Sequence, residues 1–262
     1  MAGTFADDLE PRALDGSHCE GACREASPGR AFGGHVFALA VRAAQRAVAG
    51  DRAIHRARGL FLSPADPSSP IVYSIGRASD TRRFSRREVF GEQNGRRLIE
   101  LSASFAEPRG GPDFQVTMPE VAAPEALRAE RTDPVEVRPI EGAAIHEGRL
   151  RDPKRQQFWM RVREPLPHDP TLHATAIAYM SDLQLLWLCL SANGLDVARR
   201  HEIASVEHSV WFHRDARADD WLLYDQQCLS TSNGLGVVQG CMYARDGRLA
   251  ASVVTTGTLP AL

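Results

Sequence analysis

The sequence carries a dense apolar run at residues 179–188, which reads Tyr179-Met180-Ser181-Asp182-Leu183-Gln184-Leu185-Leu186-Trp187-Leu188. Its leucines and tryptophan leave almost no polar face, so a helix built from this run must be surrounded by other structure. Ser181 or Asp182 stands where a polar side chain caps the first turn of a helix, by accepting backbone N–H groups that lack an intrahelical partner. An acid at the N-terminal end of a buried helix is either such a cap or a catalytic group, and the run alone leaves both interpretations open.

Length, composition and charge indicate an ordinary globular protein. The 262 residues are 43% apolar and 24% charged, which suits one large domain or two small ones with a sizeable core. The net charge of −2 argues against a nucleic acid or an anionic membrane held by bulk charge. The first residues lack the basic and then apolar pattern of a signal peptide. No apolar run reaches the length of about 18 residues that a membrane helix needs.

The five cysteines are odd in number and form no C-x-x-C pair, which predicts reduced thiols and a cytoplasmic location. His18, Cys19 and Cys23 lie close together in the sequence. No second pair of ligands is spaced to complete a tetrahedral site around them. The sequence therefore predicts no metal and no other cofactor.

The first half of the chain, residues 1–110, reads as a helix followed by an antiparallel sheet. Its polar start, residues 1–29, is expected to have little regular structure. A helix is predicted over Val36–Ala49, entered through Gly33-Gly34. A glycine pair there either brings backbone N–H groups close to a ligand oxygen or simply makes a tight turn. Strands are predicted at His55–Leu62, Ile71–Arg77, Phe84–Glu92 and Arg97–Ala106, the last two joined by a hairpin turn at Asn94-Gly95.

The second half repeats this architecture after a proline-rich linker at residues 111–140. Within residues 141–262, a helix is predicted over Asp182–Leu190 and a hairpin turn at Asp246-Gly247. Strands are predicted at Phe158–Arg163, Ile203–His213, Trp221–Ser230, Gly236–Tyr243 and Leu249–Gly257. The repeat is architectural, because sequence identity between the halves is faint.

From about Arg30 to Gly257 the sequence resembles the acyl-CoA thioesterase II (TesB-like) family. The stretches that carry the resemblance are Phe32-Gly33-Gly34, Phe61-Leu62-Ser63-Pro64-Ala65-Asp66, Gln93-Asn94-Gly95, Tyr179-Met180-Ser181-Asp182-Leu183, Ile203-Ala204-Ser205-Val206-Glu207-His208-Ser209-Val210-Trp211-Phe212-His213-Arg214 and Trp221-Leu222-Leu223-Tyr224. The long stretch from Ile203 is the most specific of them. Several matches in the same order are much stronger evidence than any single motif.

The resemblance implies an α+β double hotdog, in which two long helices are each wrapped by an antiparallel sheet and fused in one chain. It also implies hydrolysis of acyl-CoA without a metal or a covalent intermediate. In the family an Asp, a Thr or Ser, and a Gln hold the attacking water. By position these are Asp182 and Ser205, whereas the Gln position falls on Thr255, which departs from the pattern.

The chemistry of thioester hydrolysis limits what each matched residue can do. The reaction needs a positioned water, a proton acceptor and donors for the developing oxyanion. Among the three matched residues, only Asp182 has acid–base capacity. Threonine is shorter than glutamine and has no amide, so Thr255 cannot reach the same point. We expect a backbone N–H of Gly33 or Gly34 to serve as the oxyanion donor.

Other functions stay open at this stage. A hotdog hydratase or dehydratase usually pairs an Asp with a His, and neither His201 nor His208 is obviously paired with Asp182 in sequence. A non-catalytic acyl-CoA binding protein would explain the missing Gln. Four arginines lie close together in the sequence, namely Arg82, Arg83, Arg86 and Arg87. This arginine group either binds CoA phosphates or forms a solvated charged strand. Exposed sheet edges and the family together predict a homo-oligomer.

Overall fold

The computed structural model describes residues 3–129, 133–140, 152–196 and 202–260. The chain groups into two compact units. The first consists of Met1–Asp113, Leu166–Asp182 and Ser209–Phe212, and the second of Phe114–Pro165, Leu183–His208 and His213–Leu262. The boundaries expected after residues 110 and 140 stay a prediction.

The first unit contains three helices and an antiparallel sheet. Its helices are α1 (Phe5–Asp8), α2 (Gly33–Arg46) and α3 (Pro170–Met180). Its strands are β1 (Arg12–Ala13), β2 (His18–Gly21), β3 (Glu25–Ser27), β4 (Arg30–Ala31), β5 (Ala53–Phe61), β6 (Ile71–Asp80), β7 (Phe84–Gln93) and β8 (Arg96–Ala106). The strand order is β1-β2-β6-β7-β8-β5, while β3 and β4 form a separate pair.

Helix α2 is the centre of the first unit, because all its residues from Gly34 to Gln45 except Arg42 are buried. The strands around it use glycine where a side chain would block the helix. A Cβ on Gly59 of β5 would lie 2.9 Å from the Phe37 ring, so the missing side chain leaves that ring its space. The sheet can therefore wrap closely around the helix.

The second unit also packs a helix on an antiparallel sheet. Its elements are a 3-10 helix (Pro124–Ala126), β9 (Val135–Pro139), β10 (Arg155–Val162), α4 (Leu185–Ala192), β12 (Leu222–Ser232), β13 (Leu235–Ala244) and β14 (Leu249–Thr258). The strand order is β14-β13-β12-β10-β9. Strand β11 (Ala204–Phe212) contributes residues to both units.

Small residues again make room for the helix of the second unit. A Cβ on Gly257 of β14 would lie 2.5 Å from the Leu186 side chain of α4, and one on Gly236 of β13 would collide with the Cys189 thiol. Each unit thus has an apolar helix held in a curved antiparallel sheet. The predicted α+β double hotdog, with two sheet-wrapped helices in one chain, is confirmed.

Three local features differ from what the sequence suggests. Residues 1–29 contain α1 and three short strands, and part of β2 is buried. The segment treated as a linker holds β9, which pairs with β10. Helix α3 was not expected, although it has clear start signals: Pro170 at its first turn and Asp169 as N-cap, whose side chain accepts a hydrogen bond from the Thr171 N–H.

Among the described residues, one stretch has the length and composition of a possible membrane span, although it is interrupted by polar residues. The helical stretch Pro170–Ala192 has a mean hydropathy of 1.2 over 18 residues, but 72% of that window is buried inside the protein. Burial of this kind is typical of core helices in globular proteins.

Both predicted hairpin turns are confirmed. Asn94 and Gly95 have φ angles of 52° and 74°, which is the left-handed conformation that a two-residue turn between β7 and β8 requires. Gly247 has φ of 88° between β13 and β14. A third such turn, Asn233-Gly234, joins β12 and β13.

Candidate active site

Asp182 lies in the turn between α3 and α4 and belongs to neither helix. Helix α3 ends at Met180 with Ser181 as its C-cap, and α4 begins at Leu185 with Gln184 as its N-cap. Gln184 has φ of 62°, a left-handed conformation that costs a residue with a side chain about 1–2 kcal/mol. This residue interrupts what would otherwise be one continuous apolar helix.

Of the two interpretations left open by the sequence, the one in which Ser181 or Asp182 caps the helix over Asp182–Leu190 is wrong. No side chain caps the N-terminus of α4. The Ser181 hydroxyl donates instead to the Ala178 carbonyl at 2.7 Å, which ties it to the end of α3. The interruption could not be seen in the sequence, because residues on both sides of it are apolar and favour a helix.

The Asp182 carboxylate lies against the first residue of α2. A Cβ built on Gly33 would be 2.8 Å from Asp182 Oδ2, so only glycine leaves the carboxylate its place. Gly34 is equally restricted, since its Cβ would be 2.5 Å from the Tyr179 carbonyl oxygen. The first N–H groups of a helix have no intrahelical partner, so the predicted donors Gly33 and Gly34 stand at a suitable place for binding an oxyanion.

Helix α3 is anchored to α2 by polar contacts that hold this turn in place. Gln45 donates to the Thr171 carbonyl at 3.1 Å and accepts from the Thr175 hydroxyl at 2.8 Å. At the other end of α3, the Tyr179 ring makes edge contacts with Phe32 and His35. Asp182 follows three residues later, so the register of α3 against α2 sets its position.

The two other predicted site residues belong to the second unit. Ser205 is half-buried on β11, and Thr255 is fully buried on β14. Thr255 Oγ1 is 2.5 Å from Nδ1 of His208, which is also fully buried. His208 therefore bonds to the residue that the resemblance places at the family's Gln position. His201, the other histidine considered, lies outside the described residues.

Burial lowers the pKa of His208 to about 3, because the charged imidazolium would lose its water. The ring is thus neutral at neutral pH, and its bond to Thr255 joins two uncharged groups. A ring with so low a pKa is a poor proton acceptor at neutral pH, so we expect a structural part for it beside Thr255.

The sequence did not point to two buried glutamines, Gln156 on β10 and Gln226 on β12. Gln226 donates to the backbone carbonyl of Leu183, and Gln156 donates to the side chain of Gln184. A signal was present, because Gln226 follows Leu222 and Tyr224 on the buried face of its strand. A polar residue in such a series is a candidate for a specific contact.

Within the arginine group, Arg87 serves the fold. Its guanidinium is buried, bonds to both carboxylate oxygens of Asp80 and donates to the Ala47 carbonyl. Those bonds from Arg87 hold the pKa of Asp80 well below its usual range. Arg82, Arg83 and Arg86 are exposed. Among the residues that the structure describes, no group of three His, Cys, Asp or Glu side chains could hold a metal ion.

Comparison with known families decides the class of this protein. The family described as acyl-CoA thioesterase matches residues 126–258, and the family described as acyl-CoA thioesterase N-terminal domain matches residues 24–106. The chain belongs to the acyl-CoA thioesterase family.

Solved structures and curated relatives agree with this assignment. An acyl-CoA thioesterase II from Mycobacterium marinum is 33% identical, with 99% of each chain covered and a TM-score of 0.85. A tesB protein from Mycobacterium avium subs paratuberculosis is 31% identical over 97% of this chain and 98% of its own, also with a TM-score of 0.85. Human acyl-coenzyme A thioesterase 8 is 28% identical over 88% of this chain and 80% of its own.

Membership of the family confirms three predictions. The protein resembles the TesB-like thioesterases, it is an enzyme, and its reaction is hydrolysis of acyl-CoA thioesters. The residues that carry out the reaction stay a prediction.

We expect Gly33→Ala to lower the turnover of acyl-CoA about 10- to 100-fold without loss of stability. Alanine is favourable inside a helix, but its methyl group would displace the Asp182 carboxylate, and a shift of about 1 Å in a reacting group can cost about 100-fold in rate. Turnover is measured as release of free CoA thiol, and stability as the midpoint of urea unfolding. Gly76→Ala is the control, because a Cβ there meets only the Glu88 carbonyl at 3.7 Å. Equal turnover in both variants would contradict the expectation.

We expect His208→Asn to weaken the pH dependence of stability. The native pKa of about 3 lies below the ordinary value of 6.5. As the pH falls from 6.5 towards 3, the unfolded chain therefore takes up a proton that the native state does not, and the free energy of unfolding decreases. Above pH 6.5 the group contributes nothing to this dependence.

Asparagine keeps a polar group near Thr255 but does not titrate. The slope of unfolding free energy against pH should therefore be smaller in the variant, by up to about 1.4 kcal/mol per pH unit. Urea unfolding between about pH 7 and about pH 5 measures it. The exposed His168 provides the control variant His168→Asn. An unchanged slope in His208→Asn would show that His208 titrates normally.

Proposed function

We propose that Asp182 and Ser205 hold and polarise the water that attacks the thioester carbonyl of acyl-CoA. The observation that carries the proposal is the place of Asp182, a carboxylate in a turn against the N-terminus of α2 at Gly33. Its position in the matched stretch Tyr179-Met180-Ser181-Asp182-Leu183 agrees with the family pattern, as does Ser205 within the stretch from Ile203 to Arg214.

The proposed reaction proceeds in two steps. The water oxygen bonds to the carbonyl carbon while Asp182 accepts a proton from the water, which gives a tetrahedral intermediate with a negative oxygen. The C–S bond then breaks, the carbonyl re-forms, and the proton passes to the leaving CoA thiolate. The products are the free acid and CoA. N–H groups of Gly33 and Gly34 are the proposed donors to the negative oxygen, where a single donor can be worth about 100- to 1000-fold in rate.

Thr255 is the proposed third member of the site, in a supporting part. Its hydroxyl is bonded to His208 at 2.5 Å, and it carries no amide to offer a water. We propose that this buried pair fixes the direction of the Thr255 hydroxyl on β14.

The test is release of CoA thiol from acyl-CoAs of several chain lengths by the wild type, Asp182→Asn and Ser205→Ala. We expect Asp182→Asn to lose at least about 100-fold in kcat, because the amide cannot accept the proton, and Ser205→Ala to lose about 10-fold. Asp51→Asn, at an exposed aspartate, is the control and should keep full activity. Full activity in Asp182→Asn would refute the proposed mechanism while leaving the membership of the family intact.

We also propose that the protein is a cytoplasmic homo-oligomer. Strand β9 ends the sheet of the second unit, and β1 ends that of the first, and such edges offer unpaired backbone groups to a second chain. The cytoplasmic location is supported by the cysteines, because all five are free thiols, including Cys189 and Cys228, whose Sγ atoms are 3.8 Å apart. Light scattering in solution should give a mass of at least twice 28.7 kDa, and a mass equal to one chain would refute the oligomer.

A further inference from the structure

Two glutamines lie directly opposite each other on neighbouring strands of the second unit. Gln156 of β10 and Gln226 of β12 are register partners, with 2% and 0% of their surface exposed. Cross-strand partners carry their side chains on the same face, about 5 Å apart. The pair therefore forms one buried polar patch within an apolar sheet.

Both amides donate to the short turn that follows Asp182. Gln226 Nε2 donates to the backbone carbonyl of Leu183 at 2.8 Å, and Gln156 Nε2 donates to Gln184 Oε1 at 2.6 Å. Leu183 and Gln184 are the next two residues of the chain after Asp182. Each glutamine thus holds a residue whose position limits where the Asp182 backbone can lie.

Stability alone does not account for these glutamines. Among the described residues, neither Gln156 Oε1 nor Gln226 Oε1 has a hydrogen-bond partner. A buried acceptor without a partner costs about 1–3 kcal/mol, which an apolar side chain of the same length would avoid. An amide is therefore required at these two positions for its N–H groups, which donate to the turn.

The turn needs such support because its backbone is strained. Gln184 has a left-handed conformation with φ of 62°, and no side chain caps the helix that it begins. Residues in this conformation persist only when surrounding contacts hold them there. The two donated hydrogen bonds act at this point and at the peptide before it.

We propose that Gln226 and Gln156 are positioning residues for hydrolysis, which fix the Leu183–Gln184 turn and thereby the direction of the Asp182 carboxylate. The proposal rests on the proposed function of Asp182.

The first experiment compares kcat and KM for acyl-CoA hydrolysis in Gln226→Met, Gln156→Met and Gln227→Met. Methionine fills similar space without an amide, and Gln227 is the matched control because it is the exposed neighbour on the same strand. We expect Gln226→Met to lower kcat about 10- to 100-fold with KM within about two-fold, since a displaced reacting group slows the chemical step more than binding. Gln156→Met, which acts only through the Gln184 side chain, should lose less, and Gln227→Met nothing.

A second variant, Gln226→Glu, keeps the size and shape of the side chain. A carboxylic acid buried at this site stays protonated to a higher pH and can then donate to the Leu183 carbonyl, whereas its ionised form cannot. The register partners of Gln226 are Gln156 and Gly240, which do not titrate, and Tyr224 and Cys228 flank it on its own strand. The kcat of Gln226→Glu relative to wild type should be highest at the acidic end of the profile and fall as pH rises, while circular dichroism shows a folded chain throughout.

The outcomes separate this inference from the function on which it rests. Loss of kcat in Gln226→Met, with an inactive Asp182→Asn, supports both. A Gln226→Met variant as active as Gln227→Met, again with an inactive Asp182→Asn, overturns the positioning part and leaves the proposed function standing. An active Asp182→Asn overturns both. If Gln226→Met does not fold, a flat relative kcat of folded Gln226→Glu across pH overturns the inference, and a falling one supports it.

Discussion

The close approach between the Asp182 carboxylate and Gly33 constrains the elements around it. A methyl group on Gly33 would stand 2.8 Å from the carboxylate, so the start of α2 and the end of α3 must meet without a side chain between them. Gly34 extends the same restriction to the Tyr179 carbonyl. The contacts of Gln45 with Thr171 and Thr175 then set the register of α3 along α2. These packing contacts hold the Asp182 carboxylate at a fixed distance from the N-terminus of α2.

The strained conformation of Gln184 is the second half of this arrangement. An uninterrupted apolar helix through residues 170–192 would place Asp182 on a regular helical face, with its carboxylate directed by the helix. The left-handed residue separates α3 from α4 and leaves Asp182 in a short turn. The strain is offset by hydrogen bonds and by the packing of α4 against its sheet. Backbone strain of this kind is found most often at functional sites of proteins.

Thr255, which the resemblance places at the family's Gln position, belongs to a buried polar pair in the second unit. The Thr255 hydroxyl pairs with a His208 ring that burial keeps neutral. Buried amide groups are also present on β10 and β12, at residues 156 and 226.

The sequence by itself determined the two-part α+β architecture, because apolar periodicity, turn dipeptides and a proline-rich segment are local signals. Most of the long strands, helix α2 and both hairpin turns follow from them. The matched stretches also determined the family and singled out Asp182, Ser205 and Thr255. Helix α3 has local start signals in Asp169 and Pro170, but the interruption at Gln184 needed the tertiary structure, since a left-handed residue inside an apolar run leaves no local signal. The pairing of His208 with Thr255 and of the two glutamines with the Asp182 turn joins residues 28 to 47 positions apart. Contacts at that separation depend on strand register, which is decided only when the whole sheet closes around its helix.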